Sequence, residues 1–225
     1  MGIESRREKE RQIRHDDILA AARQLFAEKG IEETSMDDIA RRAEFTKRTL
    51  YSYFKSKEQL ILAAYTDSIE TFLLVLTEAM DAEGTGFDQL YAFGETYFEY
   101  CSRYPGFESM HSYLDYTGVI SEKTGDYFEK FVALNDRAIG RVRRAFFEGI
   151  ADRSLSDDFN VDMILSQFLY SLRAIIHRAL SPSYSFAKFD PKIYLSTFLN
   201  LFLCSIRGNN PVVMHHANRY VLPMF

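Results

Sequence analysis

Two cysteines, five prolines and eleven glycines are all that this 225-residue sequence holds of the residues that staple, stiffen or loosen a chain. Cys101 and Cys204 are too few for a disulfide scaffold and read as reduced thiols of a cytoplasmic protein. No long apolar run is present: the strongest, Ile193 to Ile206, is broken by Ser196, Thr197 and Asn200 and falls short of the roughly 20 residues a bilayer requires. The sequence therefore reads as having no membrane span, and the mixed charges of its opening residues do not read as a secretory signal. A Gly-rich phosphate loop is missing, which excludes the common nucleotide enzymes. Metal-ligand spacings are missing too, because the adjacent pairs His215-His216 and Asp157-Asp158 point about 100° apart on a helix. The expectation is a protein that is not an enzyme and has no metal or other cofactor.

What is present is a core-forming composition, with 47% hydrophobic and 15% aromatic residues. The formal net charge of −5 hides a division along the chain. From Arg41 to Lys57 the cations Arg41, Arg42, Lys47, Arg48, Lys55 and Lys57 face Glu44 alone, in an otherwise acidic chain. A phosphate-binding surface needs such a local field, and so does a plain solvated helix face; charge alone does not separate the two.

The pattern of apolar residues is helical throughout. Ile18, Ala21, Ala22, Leu25 and Phe26 form one stripe of an amphipathic helix from about Arg11, stopped at Gly30. Thr34 or Ser35 opens a short second helix, with Asp38 in a capping-box position. After the turn Glu44-Phe45, Thr46 caps a third, Lys47 to about Tyr53, anchored by Leu50. Two short helices across a tight turn, behind a longer one, make a helix-turn-helix. Ser56-Lys57-Glu58-Gln59 then caps a long helix running through Leu62, Tyr65, Ile69, Phe72 and Leu76 to about Asp81. Beyond it, helices are expected from about Glu122 to Ile150, from about Asp158 to Leu180 and from Pro191 to a stop at Gly208, with punctuation at Gly84, Gly86, Tyr104-Pro105-Gly106, Gly118, Ser121 and Ser181-Pro182. The fold class is all-α: a three-helix N-terminal helix-turn-helix domain, residues 1–55, and a larger helical domain, residues 56–225, for ligand binding and dimerisation.

Two of the later helices are apolar on nearly every side and must be covered on every side. A second copy of the chain is the expected cover, giving a homodimer through Phe168, Leu172, Leu199 and Phe202; the alternative is that one subunit wraps both helices alone. Between Phe87 and Phe131 aromatic residues are about twice as dense as in the whole chain, many of them tyrosine. Rings with hydroxyl tips suit a cavity for a small hydrophobic or aromatic effector, with Tyr97, Phe107, Met110, Tyr113 and Phe131 as candidates; a tyrosine-rich core gives the same composition. Gly94 removes a side chain where either a ligand or a crossing helix approaches. Arg173 and His177, one turn apart, are candidates for an anionic group on the ligand or for an interface hydrogen bond.

The N-terminal residues resemble one family. Ile18 to Ala22, Leu25-Phe26, Gly30, Thr34-Ser35-Met36, Ile39-Ala40, Ala43 and above all Thr49 to Leu60 are similar to the DNA-binding domain of TetR-type transcriptional regulators. Arg103-Tyr104-Pro105-Gly106-Phe107 agrees with the family in the second domain. The resemblance implies a dimer that binds double-stranded DNA, usually as a repressor, and carries a small effector in its C-terminal domain. It places base reading on Lys47, Arg48 and Ser52, and phosphate contact on Thr46, Thr49, Tyr51, Tyr53, Lys57 and the helix N-termini at Ser35 and Ser56. Tyr51 and Tyr53 also suit packing positions, and Arg6, Arg7, Lys9, Arg11 and Arg14 form either a DNA-reaching arm or a disordered tail. The sequence departs from the family at Glu44-Phe45, where a glycine and a small aliphatic residue are usual, so either Glu44 takes a positive φ at a cost in strain or the turn is shaped differently and shifts the pose of the recognition helix. A rival reading keeps the DNA-binding fold and replaces the effector by a protein partner.

Overall fold

Helical hydrogen bonding starts well before the first core residue. The computed structural model describes residues 3–118, 125–180 and 189–208, and in it α1 runs Ile3–Lys29, taking in the stretch of arginines that the sequence leaves open between arm and disorder. The other helices are α2 (Met36–Arg42), α3 (Lys47–Tyr53), α4 (Lys57–Asp81), α5 (Gly86–Arg103), α6 (Pro105–Thr117), α7 (Asp126–Ala151), α8 (Val161–Leu180) and α9 (Pro191–Ser205). Among the described residues every regular element is an α-helix, so the all-α expectation holds. Ser121, Glu122, Ser181, Pro182, His215 and His216 lie outside the described residues.

The chain divides into two compact units. Unit one is Met1–Thr71 with Tyr104–Asn135, and unit two is Phe72–Arg103 with Asp136–Phe225. The boundary passes through the continuous helices α4 and α7, so residues 56–71 share a unit with the helix-turn-helix.

In unit one the stripe Ile18, Ala22, Leu25 and Phe26 of α1 is buried, as are Ile39 of α2, Leu50 of α3 and Phe54 at the end of α3. Three further links clamp α1 to the helices around it. Arg23 donates to Asp67 of α4 at 2.6 Å. His15 meets Tyr127 of α7. Gly106, near the start of α6, lies so near the Arg23 carbonyl that an added Cβ would sit 3.3 Å from it. Tyr65 of α4 packs its ring on Phe107 and His111, each with centroids 5.2 Å away, and on Phe131 at 6.1 Å.

Unit two is built on α5, α8 and α9. Phe168 is its central ring, with Phe93 at 6.0 Å, Phe146 at 6.1 Å and Phe202 at 5.2 Å between centroids. Gly94 is a helix crossing: a Cβ there would fall 2.5 Å from a Leu199 methyl, so glycine lets α9 press onto α5. Two sequence expectations change as a result. Phe168, Leu172 and Leu199 are fully buried inside their own subunit, and Phe202 half-buried, so these side chains are core and the outward residues of the same helices are others. Gly208 does not end α9, which is capped at Ile206; Gly208 instead follows a single bridge between Leu155 and Arg207, where a Cβ would meet the Arg153 carbonyl at 2.3 Å.

The N-terminus of α5 is capped from far away. Asp152 accepts from the Gly86 N–H at 2.8 Å and Ser154 from the Phe87 N–H at 3.1 Å, which satisfies two of the donors a helix start leaves open. By length and composition α4 is apolar enough to cross a bilayer, unlike the Ile193 to Ile206 run, but most of its apolar stretch is buried inside the protein, as in a core helix.

Candidate nucleic-acid interface

Caps and turn fix the pose of the recognition helix. Ser35, not Thr34, is the N-cap of α2: its hydroxyl accepts from the Asp38 N–H at 3.1 Å while Asp38 accepts from the Ser35 N–H at 3.0 Å, a complete capping box. Thr34 is buried and donates to the Gly30 carbonyl at 2.6 Å, tying off the end of α1. Asp38 also takes Lys29 at 2.7 Å and pairs with Arg41, and these partners, Lys29 first and Ser35 next, hold its carboxyl far below the usual range.

The turn after α2 is a Schellman motif. Phe45 N–H reaches the Ala40 carbonyl at 2.9 Å and Glu44 N–H the Arg41 carbonyl at 3.3 Å. The residue that must be left-handed is Glu44, with φ 59°, as its place in the turn predicts. Thr46 then caps α3, accepting from the Thr49 N–H at 3.1 Å. At the far end Ser56 caps α4 by accepting from the Gln59 N–H at 3.2 Å, and Gln59 reaches past the cap to the Lys55 N–H at 2.7 Å.

Leu50 and Phe54 are fully buried and fix which face of α3 points out. That outer face carries Lys47, Arg48, Tyr51 and Ser52, all exposed. Arg48 has no hydrogen-bond or ion partner among the described residues, so its guanidinium is available. Lys47 is held differently from what spacing alone suggests: its ammonium bonds Asp37 of α2 at 2.8 Å, which raises its pKa. Lys57 donates to the Glu32 carbonyl at 3.4 Å, and partial burial pulls its pKa down. Thr49 shares a 2.9 Å hydroxyl contact with Thr46, Ser52 donates to the Thr49 carbonyl at 2.6 Å, and Tyr53 lies half-buried under the Arg11 guanidinium, 6.0 Å from its ring centroid. Arg42 is fully engaged in a two-pronged bond to Glu28 of α1, at 2.9 and 2.7 Å. The cationic block therefore splits into structural ion pairs (Arg41, Arg42, Lys47) and side chains free of carboxylates among the described residues (Arg48, Lys55). Asp37 and Glu28 are the partners that sequence spacing did not single out, because they come from the helix across the turn and the helix behind.

The effector candidates fall into both units. Phe107, Met110 and Phe131 are buried and Tyr113 half-buried in unit one, with Phe107 and Phe131 packed on Tyr65. Burial raises the pKa of the Tyr113 hydroxyl. In unit two Tyr97 packs on Phe72 at 5.5 Å and on Phe93 at 6.0 Å, Arg173 is half-buried, and His177 is exposed on the outer side of α8.

Comparison with known proteins agrees with this geometry. Residues 18–64 match the family described as bacterial regulatory proteins, tetR family. Over 189 residues the chain is 23% identical to IcaR of Staphylococcus aureus, a negative transcriptional regulator of the biofilm operon icaADBC, covering 84% of this chain and 98% of that one. Among solved structures it is similar in fold to the ketosteroid transcriptional regulator KstR2 of Mycobacterium tuberculosis, with TM-score 0.66, 16% identity and coverage of 86% and 95%. It is equally similar to FadR of Bacillus subtilis in complex with stearoyl-CoA, with TM-score 0.66, 16% identity and coverage of 85% and 98%. The capped helix-turn-helix, its exposed recognition face and these likenesses lead to one conclusion: residues 18–64 form a DNA-binding domain of the tetR family of bacterial regulatory proteins, and the chain as a whole is similar to TetR-family regulators.

Proposed function

We propose that this regulator is a repressor that binds a palindromic operator as a homodimer and is released by a small apolar or aromatic effector. The observation that carries the reading is the outer face of α3, where Arg48 projects unpartnered from a helix whose start, turn and buried side are all fixed. An arginine presented in this way forks to guanine O6 and N7 in the major groove, with Lys47 and Ser52 beside it. Ser35, Thr46, Thr49, Tyr51, Tyr53 and Lys57 are then the phosphate ligands that set register.

Outward residues of α8 and α9 support the homodimer. Met163, Gln167, Tyr170, Ala174 and His177 share one exposed side of α8, and Ile193, Thr197, Leu201 and Cys204 one exposed side of α9, with no acid, lysine or arginine in either set. The negative regulation named for IcaR supports repression. The ketosteroid and stearoyl-CoA named for KstR2 and FadR support an apolar effector, as do the aromatic clusters around Tyr65 and Phe72. Because binding is reciprocal, such an effector and the operator weaken each other by one common factor.

Selection from a pool of randomised duplexes with the full chain tests the reading. An inverted repeat should emerge, and Arg48→Ala should cost about 1–3 kcal/mol and relax one position per half-site. A pool that yields no enriched duplex, or enriches a site with no repeat, rules it out.

A further inference from the structure

We infer that the N-terminal extension of α1 is a second DNA-binding element, in which Arg7, Arg11 and Arg14 grip backbone phosphates beyond the reach of α3. The inference rests on the operator reading above. It concerns residues that the matched family segment, 18–64, does not include.

At about 100° per residue, positions 7, 11, 14, 18, 22 and 25 fall on one side of a helix. From Ile18 onward that side is core: Ile18 and Ala22 are fully buried and Leu25 nearly so. From residue 7 to residue 14 it is arginine at every turn, and all three arginines are exposed. The side of α1 that faces the helix-turn-helix thus changes from apolar to cationic where the helix outruns the domain it packs on. An ordinary solvated extension mixes its charges; here Glu10 is turned to Arg6 at 3.3 Å, and Arg7, Arg11 and Arg14 have no carboxylate partner among the described residues.

Two contacts tie the stripe to the recognition helix. The Arg11 guanidinium lies over the ring of Tyr53, the last residue of α3, and His15 packs on Phe54, which caps α3, at 5.2 Å between centroids. Arg11 therefore stands at the end of the reading face and Arg7 one turn farther out. Arg7 to Arg14 spans about 10 Å at 1.5 Å per residue, comparable to about three nucleotide steps of one strand. Uncompensated guanidinium groups at that spacing match a run of phosphates, and because they stand beyond the helix that presents Arg48 to the groove they are assigned to the backbone and not to base edges, so the element adds affinity without changing sequence preference.

The test compares the full wild-type chain with the triple variant Arg7→Ala/Arg11→Ala/Arg14→Ala, the same triple change to Lys, and Lys9→Ala on the opposite side of the helix, each titrated at several salt concentrations with the duplex selected by wild type. The alanine triple should flatten the plot of log affinity against log salt by about 0.9 for every phosphate that is no longer neutralised, up to about 5 for two protomers. The lysine triple should stay near wild type, Lys9→Ala should barely move, and the preferred sequence should be the same in all. An unchanged slope in the alanine triple overturns the inference, as does a lysine triple that flattens as much, or a Lys9→Ala effect as large as one third of that of the alanine triple. If wild type selects no duplex, the operator reading falls and takes this inference with it; a selected duplex with an unchanged slope removes the inference alone.

Discussion

The Nε2 of His15 and the hydroxyl of Tyr127 are 2.8 Å apart, joining α1 to the first turn of α7. Their rings stack at 6.3 Å with an interplanar angle of 10°, and both lie against Phe54, the residue that ends the recognition helix. Burial raises the pKa of the Tyr127 hydroxyl, so it stays protonated at neutral pH and available to the imidazole. Tyr127→Phe keeps the stack and deletes one hydrogen bond, and should cost about 0.5–1.5 kcal/mol in urea unfolding. His15→Ala removes the ring that packs on Phe54 as well, and should cost more. Equal stability of Tyr127→Phe and wild type would show that the hydrogen bond contributes nothing.

The left-handed turn at Glu44 costs an L-residue about 1–2 kcal/mol, and glycine returns about 0.4–1 kcal/mol of that through the entropy of the unfolded chain. Glu44→Gly should therefore raise stability by roughly 0.5–1 kcal/mol on these terms. Glu44→Ala, which keeps the strain and removes the charge, should not. Urea midpoints at constant slope measure the difference, and a glycine variant no more stable than the alanine one would disprove strain at this position.

Acid should weaken the helix-turn-helix through Asp38. Its carboxyl is held below the ordinary range by Lys29 and Ser35, so the contribution to stability is fully present above the unfolded value near 4 and fades as pH falls toward the lower folded value. Asp38→Asn should have a lower melting temperature at pH 6 and a shallower fall between about pH 4 and 2. Parallel acid limbs for wild type and variant would place the acid sensitivity elsewhere.

Leu199 and Leu201 are two residues apart on α9 and should behave oppositely. Leu199 is fully buried against Gly94, so Leu199→Glu puts an unpaired charge in the core and should abolish a cooperative melt. Leu201 is 71% exposed, so Leu201→Glu should keep the helical circular-dichroism spectrum while light scattering shows the dimer dissociating. A Leu201→Glu chain that stays dimeric would move the interface off this side of α9.

Features that depend on residues three or four positions apart were legible in the sequence. The Ser35 and Asp38 capping box, the Thr46 cap, the Ser56 and Gln59 pair, Asp190 before Pro191, and the buried stripe from Ile18 to Phe26 all follow from local hydrogen bonds and helical period. At Glu44 the sequence left open a strained positive φ or a differently shaped turn, and the structure has the positive φ, because the turn type demands it whatever the residue. Only the tertiary structure decided which helix lies across from which. It buried Phe168, Leu172 and Leu199 inside one subunit, because Gly94 lets α9 close onto α5. It brought Asp152 to the start of α5 across 66 residues and Tyr127 to His15 across 112. It also paired Lys47 with Asp37 while leaving Arg48 open. Apolar patterning states that a side chain must be covered; the partner that covers it is set by the packing of the folded chain, which sequence spacing does not encode.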